Sequence, residues 1–380
     1  MIIIEHRSYK LRRSAIIKRR TMKKPIIAGI QQMGVGNPSV YEAFAWYRKA
    51  FKVDVPVFDE AATAALMLPY TGGEPRDRHA VLALSMQGGG GMEIWQYTSR
   101  KPEYPKFEIQ AGDLGIFVAK IKSKDVQATY QHLKKEGLAV IGEVSKMPNG
   151  KEHCFVKDPY NNIFEIVPSE DWYISGTPST GGIYGGILGV TDIEKSKSFY
   201  KDILGYDTVV YDESGSFDDL KDLPGGNGKF RRVLLTHSQA RKGPFSQMFG
   251  TSEIELLQAL DRTPNKIFAD RLWGDIGFIH LCFDIQGMKA MEALCESKGY
   301  PFTVDSSKAA ESKDGFDMGE AAGHFTYIED PDGTLIEFVE AHKVPIAKKI
   351  GWYLDLKKRN PEKALPKWML RAMGWNRVKD

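Results

Sequence analysis

The sequence predicts an α+β protein built from four copies of one unit, in which a strand and a helix are followed by several further strands. The first observation behind this prediction is that the order strand, helix, strands occurs four times along the chain. The second is that short sequence motifs recur at matching places in the copies. Glu255-Leu-Leu-Gln258 matches Glu93-Ile-Trp-Gln96, and Asp330-Pro-Asp-Gly-Thr-Leu-Ile-Glu337 matches Asp158-Pro-Tyr-Asn-Asn-Ile-Phe-Glu165.

The helices are predicted from apolar residues at helical spacing, as at Tyr41, Phe44, Tyr47 and Phe51. The four helical segments are residues 39–51, 124–136, 192–204 and 288–298. The strands are predicted from short apolar runs that end at turn signals. They comprise residues 26–35, 80–85, 92–97, 113–121, 153–167 with an internal turn, 181–190, 231–236, 253–258, 277–284 and 327–340, again with a turn.

Composition narrows the class of protein. The chain has 380 residues, of which 42% are hydrophobic, so it can form one large or two ordinary domains. Lysine plus arginine (52) nearly balance aspartate plus glutamate (49), so the chain has no large net positive charge that would attract nucleic acid. The three cysteines lie in unrelated segments without a CxxC motif, so we expect a reducing compartment and a cytoplasmic protein. No run approaches the roughly 18 apolar residues of a transmembrane segment.

The repeats fall into two halves. We predict one domain over residues 25–170 and a second over 183–342, joined by a Ser-, Thr- and Gly-rich linker at 171–182. Residues 1–24 form a basic N-terminal extension, which could be a disordered arm, a transit peptide, or the result of a true start at Met22. Residues 343–380 form a basic tail, predicted as two short helices over 350–359 and 363–374. Its aromatic residues could pack on the domain or on a partner subunit, or contact a membrane surface.

Two sequence motifs resemble those of a known family. Val190-Thr-Asp-Ile-Glu-Lys-Ser-Lys-Ser-Phe-Tyr-Lys-Asp-Ile-Leu-Gly205 and the word from Asp330 to Glu337 resemble the vicinal oxygen chelate superfamily, which includes glyoxalase I, extradiol dioxygenases and bleomycin-resistance proteins. The resemblance covers about residues 25–342. It implies four βαβββ modules, paired into two curled mixed β-sheets with helices outside. It does not by itself imply a reaction.

The resemblance also implies two ligand positions in each module, one on the first strand and one on the last. Carried over in chain order, these positions are Gln32 and Glu93, Val118 and Glu165, Gly185 and Glu255, and His280 and Glu337. Pairing neighbouring modules gives incomplete sets. Pairing the first module with the fourth gives Gln32, Glu93, His280 and Glu337, a set similar to that of glyoxalase I. We therefore expect the outer modules to pair and the inner set to bind metal poorly.

Physical chemistry supports a metal at the outer set. A histidine and carboxylates within apolar strands are costly to bury unless something offsets the cost. One imidazole and three oxygen ligands suit zinc, nickel, iron or manganese, and two carboxylates balance the +2 charge. Plainer readings exist for each residue. His280 could be hydrogen-bonded in a core, Gln32 could lie at a polar strand edge, and Glu93 and Glu337 could face solvent.

Weaker candidates lie elsewhere. His153 and His324 could face a cavity, or sit in the core or at a rim. Arg231-Arg232 could bind an anionic group, or lie on an exposed strand edge. The glycine-rich segment 211–229 could be a mobile loop over a cavity mouth or an ordinary surface loop. It lacks the GK[ST] ending of a phosphate loop.

Three functions follow as hypotheses. The first is a metal-dependent lyase or isomerase resembling glyoxalase I, in which the ion holds two vicinal oxygens of a small substrate and an enediolate develops. The resemblance then assigns Glu337 as the base and Glu93 as its partner on the opposite face. The second is an extradiol dioxygenase, which needs a second histidine where Gly185 or Gln32 stands. The third is a metal-free binding protein, with aromatic residues near the cavity at Trp46, Trp95, Tyr97, Phe325 and Tyr327. Any of these could form a homodimer.

Overall fold

The computed structural model describes residues 24–176, 179–307, 323–347 and 351–378. Apart from Lys24, the predicted basic extension lies outside the described residues. None of the helices in these ranges has the length and apolar content needed to cross a membrane.

The first half of the chain contains two modules with one order of elements. Module 1 comprises β1 (Ile26–Gly36), α1 (Val40–Phe51), β2 (Val55–Thr63), β3 (Asp77–Leu84) and β4 (Gly91–Tyr97). Module 2 comprises β5 (Gly115–Ser123), α2 (Val126–Lys135), β6 (Ala139–Lys146), β7 (Glu152–Lys157) and β8 (Ile163–Pro168).

The second half repeats this order. Module 3 comprises β9 (Thr180–Gly189), α3 (Ile193–Leu204), β10 (Thr208–Gly215), β11 (Phe230–Thr236), a short α4 (Ser246–Phe249) and β12 (Glu253–Ala259). Module 4 comprises β13 (Gly277–Gln286), α5 (Met288–Ser297), β14 (Val304–Asp305), β15 (Gly323–Glu329) and β16 (Leu335–Ala341). The four predicted modules are confirmed.

The strands form two eight-stranded mixed sheets, as predicted. The outer sheet joins modules 1 and 4 in the order β14-β15-β16-β13-β1-β4-β3-β2. The inner sheet joins modules 2 and 3 in the order β10-β11-β12-β9-β5-β8-β7-β6. The expected pairing of the outer modules is therefore confirmed. Each half of the sequence contributes one module to each sheet.

Local chemistry explains where three helices begin. The side chains of Ser39, Asp125 and Asp192 accept hydrogen bonds from backbone N–H groups of the first turns of α1, α2 and α3. Helix α3 ends at Gly205, whose φ of 75° is the left-handed conformation that favours glycine. The apolar faces of the helices pack on the sheets in one core cluster that contains residues from all four modules.

The repeated sequence motifs contain residues that form equivalent hydrogen bonds in the two halves. Tyr47 on α1 donates a hydrogen bond of 2.8 Å to Asp158 in the turn before β8. Tyr200 on α3 donates one of 3.0 Å to Asp330 in the turn before β16. All four side chains are buried. Within each half, a helix of the first module is thus bonded to the last turn of the second, while the sheets join across the halves.

The C-terminal extension, residues 343–378, differs in part from its prediction. The helix predicted over residues 350–359 is wrong, because β18 (Trp352–Asp355) pairs antiparallel with β17 (Lys343–Ala347). The pairing of the two strands provides hydrogen-bond partners for their backbone groups. A helix in so short a segment would be only marginally stable unless it packed on the rest of the protein. The second helix is confirmed as α6 (Lys367–Ala372), followed by a 3-10 turn over Met373–Asn376. The extension packs on the domain through Leu365 and Leu370, which are buried with Phe245, Met248 and Phe249 among others.

Candidate metal centre

The centre of the outer sheet brings together the ends of the chain. Strands β1 and β13 lie side by side and antiparallel, with Gly34 opposite His280 and Gln32 opposite Cys282. Strand β4 runs parallel to β1, and β16 runs parallel to β13. These registers place Glu93 beside Gly34 and Glu337 beside Cys282. The four predicted ligand residues therefore converge from two pairs of strands.

The donor atoms of these residues are close together. Nε2 of His280 lies 3.3 Å from Oε2 of Glu93 and 3.2 Å from Oε2 of Glu337. Nε2 of Gln32 donates hydrogen bonds to the same two oxygens, at 3.0 and 3.4 Å. One ligand atom each from Glu93, His280 and Glu337 lies within 4.8 Å of the others. We call Gln32, Glu93, His280 and Glu337 the outer quartet.

The His280 ring is held in a slot. It stacks on Trp273 at 6.2 Å between ring centroids and meets the edge of Tyr327 at 5.5 Å. Its other side faces Gly34, where an added Cβ atom would lie only 2.3 Å from Cε1 of the imidazole. The imidazole is fully buried. Its orientation is therefore fixed by two aromatic rings and by a missing side chain.

The carboxylates and the imidazole of the quartet shift one another's pKa values. Burial alone would lower the pKa of His280, but Glu337 and Glu93 outweigh it and raise this pKa to about 9. Burial acts to raise the pKa of Glu93, yet His280 and Arg78 hold it below its usual value. Burial, reinforced by Glu337, raises the pKa of the neighbouring Cys282 thiol well above its usual value. Cys282 is thus a protonated neighbour and a poor ligand.

The residues present fit a divalent ion. Buried polar atoms are nearly always hydrogen-bonded. Oε1 of Gln32 and both ring nitrogens of His280 are buried, yet none has a hydrogen bond of acceptable geometry to any residue that the structure describes. A half-turn of the Gln32 amide would turn its oxygen toward the carboxylates. That arrangement needs a cation between them, and the donor set then matches a borderline-hard divalent ion.

A cavity of about 370 Å³ opens beside the quartet. Gln32, Glu93 and Glu337 line it, whereas His280 lies behind them. Of the aromatic residues expected near the site, Trp95, Phe325 and Tyr327 line the cavity. Trp46 instead packs against Tyr47, Phe51 and Phe164. Tyr97 is buried behind Trp95 and donates a hydrogen bond to the Trp273 carbonyl.

Comparison with known families agrees with this architecture. Two family models described as the Glyoxalase/Bleomycin resistance protein/Dioxygenase superfamily match residues 29–166 and 187–318, together more than half of the chain. The chain belongs to this superfamily. A search among curated proteins finds no match to the sequence.

Solved structures of the superfamily share the fold at low sequence identity. A glyoxalase I mutant from Zea mays is 12% identical, with a TM-score of 0.51 over 82% of this chain and 93% of that one. A putative dioxygenase from Bacillus subtilis is 15% identical, with a TM-score of 0.51 over 84% and 86%. Both similarities concern the fold alone.

The inner sheet has a superfamily scaffold with a different centre. The registers place Lys120 beside Glu165, where the outer sheet has Gly34 beside Glu93. Nζ of Lys120 lies 3.0 Å from Glu165 and 2.8 Å from Glu255. It also lies 3.0 Å from Glu253. An ammonium group thus stands among the inner carboxylates, which explains physically why this set should not need a metal.

More charges complete this inner cluster. Arg232 bonds Glu255 at 2.7 Å and Asp219 at 2.7 Å, and all three side chains are almost fully buried. His153 bonds Glu165 at 2.6 Å through Nδ1 and faces Asp219 at 3.3 Å through Nε2. We call Lys120, His153, Glu165, Asp219, Arg232 and Glu255 the inner cluster. His153 and Arg232 therefore belong to a buried ion network.

The remaining candidates have ordinary roles. Arg231 makes exposed ion pairs with Asp212 and Glu194. The predicted strand edge is wrong, because β11 pairs with β10 on one side and with β12 on the other. His324 bonds Asp305 at 2.8 Å. The glycine-rich segment is not simply a surface loop, because it contains a 3-10 turn over Asp218–Leu220 and buries the side chains of Leu220 and Leu223. These pack with Val118, Phe155 and Ile187 and help to fill the inner sheet.

Proposed function

We propose that this protein is a metal-dependent lyase or isomerase that moves a proton between adjacent carbons of a small molecule with two vicinal oxygens. The observation that carries the proposal is the convergence of the outer quartet beside an apolar cavity. The inner cluster, in contrast, is already neutralised by Lys120 and Arg232. The proposed chemistry therefore belongs to the outer sheet alone.

The four residues of the quartet would hold a divalent ion. When bound, such an ion supplies Lewis-acid polarisation of neighbouring substrate oxygens. The Gln32 amide and the Glu93 and Glu337 carboxylates would provide oxygen donors, and His280 would provide nitrogen. Trp273, Tyr327 and the gap at Gly34 keep the imidazole in a fixed direction, which is how neighbouring groups tune metal ligands.

Glu337 is proposed as the base. Glu337 and Glu93 both line the cavity, and their side chains are 8% and 12% exposed. A carboxylate removed from bulk water next to a bound molecule is well placed to take a proton from carbon. Glu337 on β16 and Glu93 on β4 flank the central strands β13 and β1 from opposite sides, and we propose that they act on opposite faces of that molecule. The apolar walls keep water from competing for the proton.

Hydrogen–deuterium exchange provides the test. 2-Hydroxyacetophenone has two vicinal oxygens and a C–H bond beside its carbonyl, and its exchange in D₂O can be followed by NMR. We expect the metal-loaded protein to accelerate exchange, and Glu337→Gln to reduce the rate roughly 10²- to 10⁴-fold. Glutamine keeps one oxygen ligand, so the variant should retain metal.

Metal analysis gives the control for this test. The double variant Gln32→Ala/His280→Ala should lose bound metal and exchange activity together, while its melting temperature stays measurable. Stoichiometric metal in the double variant would contradict the proposal.

A second candidate is a metal-free protein that binds an aromatic molecule. The observation in its favour is the cavity wall formed by Trp95, Phe325 and Tyr327. This candidate predicts that purified protein contains no metal and that added Mn²⁺, Zn²⁺ or Ni²⁺ does not change ligand affinity. A dioxygenase is less well supported, because the quartet contains one imidazole where the facial triad for iron needs two.

A further inference from the structure

The cavity beside the quartet has a lining with few charges. Its volume of about 370 Å³ lies within the range of small-molecule sites. Most of the lining side chains are apolar, and they come from modules 1, 3 and 4 and from the C-terminal extension, among them Phe58, Leu66, Trp95, Phe249, Phe325 and Met373. A molecule that fills this space would exchange water for hydrocarbon over most of its surface.

The charges that do face the cavity are unfavourable for an anion. Among the described lining residues the charged ones are Glu60, Arg78, Glu93 and Glu337. Arg78, the one cation among these described residues, is engaged with Glu60, through Nη1 to its carbonyl at 3.0 Å and Nη2 to its carboxylate at 3.3 Å. A divalent ion would offset Glu93 and Glu337, which leaves no unpaired positive charge on the part of the lining that the structure describes. A ligand carboxylate buried there would lose its hydration without gaining a partner.

One wall of the cavity comes from outside the four modules. Val344, Met373 and Asn376 of the C-terminal extension line the cavity. The far end of the extension is anchored to the domain, because Arg377 pairs with Asp54 at 3.1 Å and Val378 N–H donates to the Asp54 carbonyl at 2.9 Å. The extension therefore closes over the cavity as a fixed wall.

Residues 365–370 of the extension, which precede Met373, are anchored as well. Tyr173 donates a hydrogen bond of 2.6 Å to the Lys367 carbonyl, and Leu365 N–H donates to the Pro244 carbonyl at 2.8 Å. Leu370 is buried in the same apolar cluster as Met248. Met373 lies between these two anchors, so the position of its side chain is set by the whole extension.

We infer that this cavity selects an uncharged, largely apolar molecule with two adjacent oxygens and rejects anionic conjugates such as glutathione adducts. The C-terminal extension, through Met373, sets the size of the apolar group that fits. The placement of the two oxygens rests on the proposed function. The preference for a neutral ligand rests on the lining alone.

A matched pair of probes tests the charge preference. 4-Phenylcatechol is neutral and apolar with two adjacent oxygens, and 4-(3,4-dihydroxyphenyl)benzoate differs from it by one carboxylate. Calorimetry on the full-length, Mn²⁺-loaded protein should show at least about tenfold tighter binding of the neutral probe, a difference of about 1.4 kcal/mol. Equal or tighter binding of the carboxylate would overturn the inference.

Variants of the extension test the wall. Met373→Trp should weaken binding of 4-phenylcatechol about tenfold or more and leave the smaller catechol unaffected. Lys363→Trp adds the same side chain at an exposed position of the extension and should leave both affinities unchanged. If Met373→Trp does not fold, Met373→Ala should improve binding of the bulkier 4-(2-naphthyl)catechol. Unchanged affinities in the Met373 variant that folds would refute the role of the wall.

The same titrations without metal separate this inference from the proposed function. If the neutral probe still binds more tightly after chelation and Mn²⁺ makes no difference, the metal proposal fails and the charge preference stands. If Mn²⁺ strengthens binding but the carboxylate is not disfavoured, the charge preference fails and the metal proposal stands.

Discussion

The absence of a side chain at position 34 determines where the His280 imidazole can lie. Gly34 leaves the space into which the His280 imidazole fits, since a Cβ atom there would lie 2.3 Å from the ring. The matching position in the inner sheet is Lys120, which places an ammonium group among the carboxylates. Lys120 stands opposite Gly185, just as Gly34 stands opposite His280. One scaffold therefore gives two different centres, and this exchange of a glycine and a long side chain across the central strands is one of the differences between them.

Gly34→Ala should disable the outer quartet without unfolding the protein. The new methyl group displaces the imidazole from the carboxylates, so we expect metal affinity to fall roughly 10- to 100-fold. Competition with a fluorescent chelator measures this change. Gly176→Ala is the matched control, because nothing lies within 4 Å of a Cβ atom there. Wild-type affinity in Gly34→Ala would show that His280 is not a ligand.

At the residue level, the sequence predicts the outer quartet but not the inner cluster. The quartet could be inferred because its members match family positions on recurring strands. Lys120 was missed because a strand lysine is normally solvated. A signal was present, since Lys120 stands in an otherwise apolar run, Gly115 to Ile121, two residues after the family position Val118. Val118 itself only fills the core.

At the scale of elements, the central strands and helices were predictable and the edges were not. Strands β2, β6, β10 and β14 end the two sheets. Most residues of β10 are exposed, and few in β2 and β6 are fully buried. An edge strand needs only one neighbour and little apolar surface, so its sequence has a weak alternation. The same reason explains why β18 was mistaken for a helix.

The ion pairs of the inner cluster should contribute together to the free energy of unfolding. Lys120→Met leaves Glu165 and Glu255 buried with less compensation, so we expect the free energy of unfolding to fall by roughly 3–5 kcal/mol. Urea denaturation measures this loss. The control is Lys298→Met, whose ion pair with Asp202 is exposed and should contribute about 1 kcal/mol or less. A loss as small as that of the control would mean that water reaches the cluster.

His153 should make the stability of the inner sheet depend on pH. Burial lowers the pKa of His153, but Asp219 and Glu165 outweigh this and raise it from 6.5 to about 9. Because the folded-state pKa is the higher one, the stabilisation is complete below about pH 6.5 and is lost as pH rises through about 9. The unfolding free energy of wild type should therefore fall over this range more than that of His153→Gln. Parallel pH profiles for the two proteins would contradict this assignment.

The whole molecule is held together across its halves. The outer sheet joins the first and fourth modules, while Tyr47–Asp158 and Tyr200–Asp330 bond neighbouring modules within each half. Strand periodicity could not predict the pairing of the sheets, because every pairing buries the same faces. The ligand positions predicted it, since only one pairing completes a metal site. The residue types at these four positions thus allowed the pairing of the modules to be predicted.

The two halves should not fold separately. A fragment of residues 24–176 lacks β13 and β9, so β1 and β5 become exposed edges that promote aggregation. We expect each half alone to be insoluble or self-associated, and co-expression with residues 179–380 to yield a one-to-one complex. Size-exclusion chromatography with light scattering checks this. A monomeric half with cooperative unfolding would contradict the expectation.

The pairing of Ile26 with Gln286 also constrains how the protein is made. During translation β1 emerges some 260 positions ahead of its partner on β13. At roughly 5–20 residues per second, that is a delay on the order of 10–50 s. Modules 2 and 3 are adjacent in the chain and can join first. The centre built from Gln32 and His280 is thus among the last parts of the molecule that a ribosome completes.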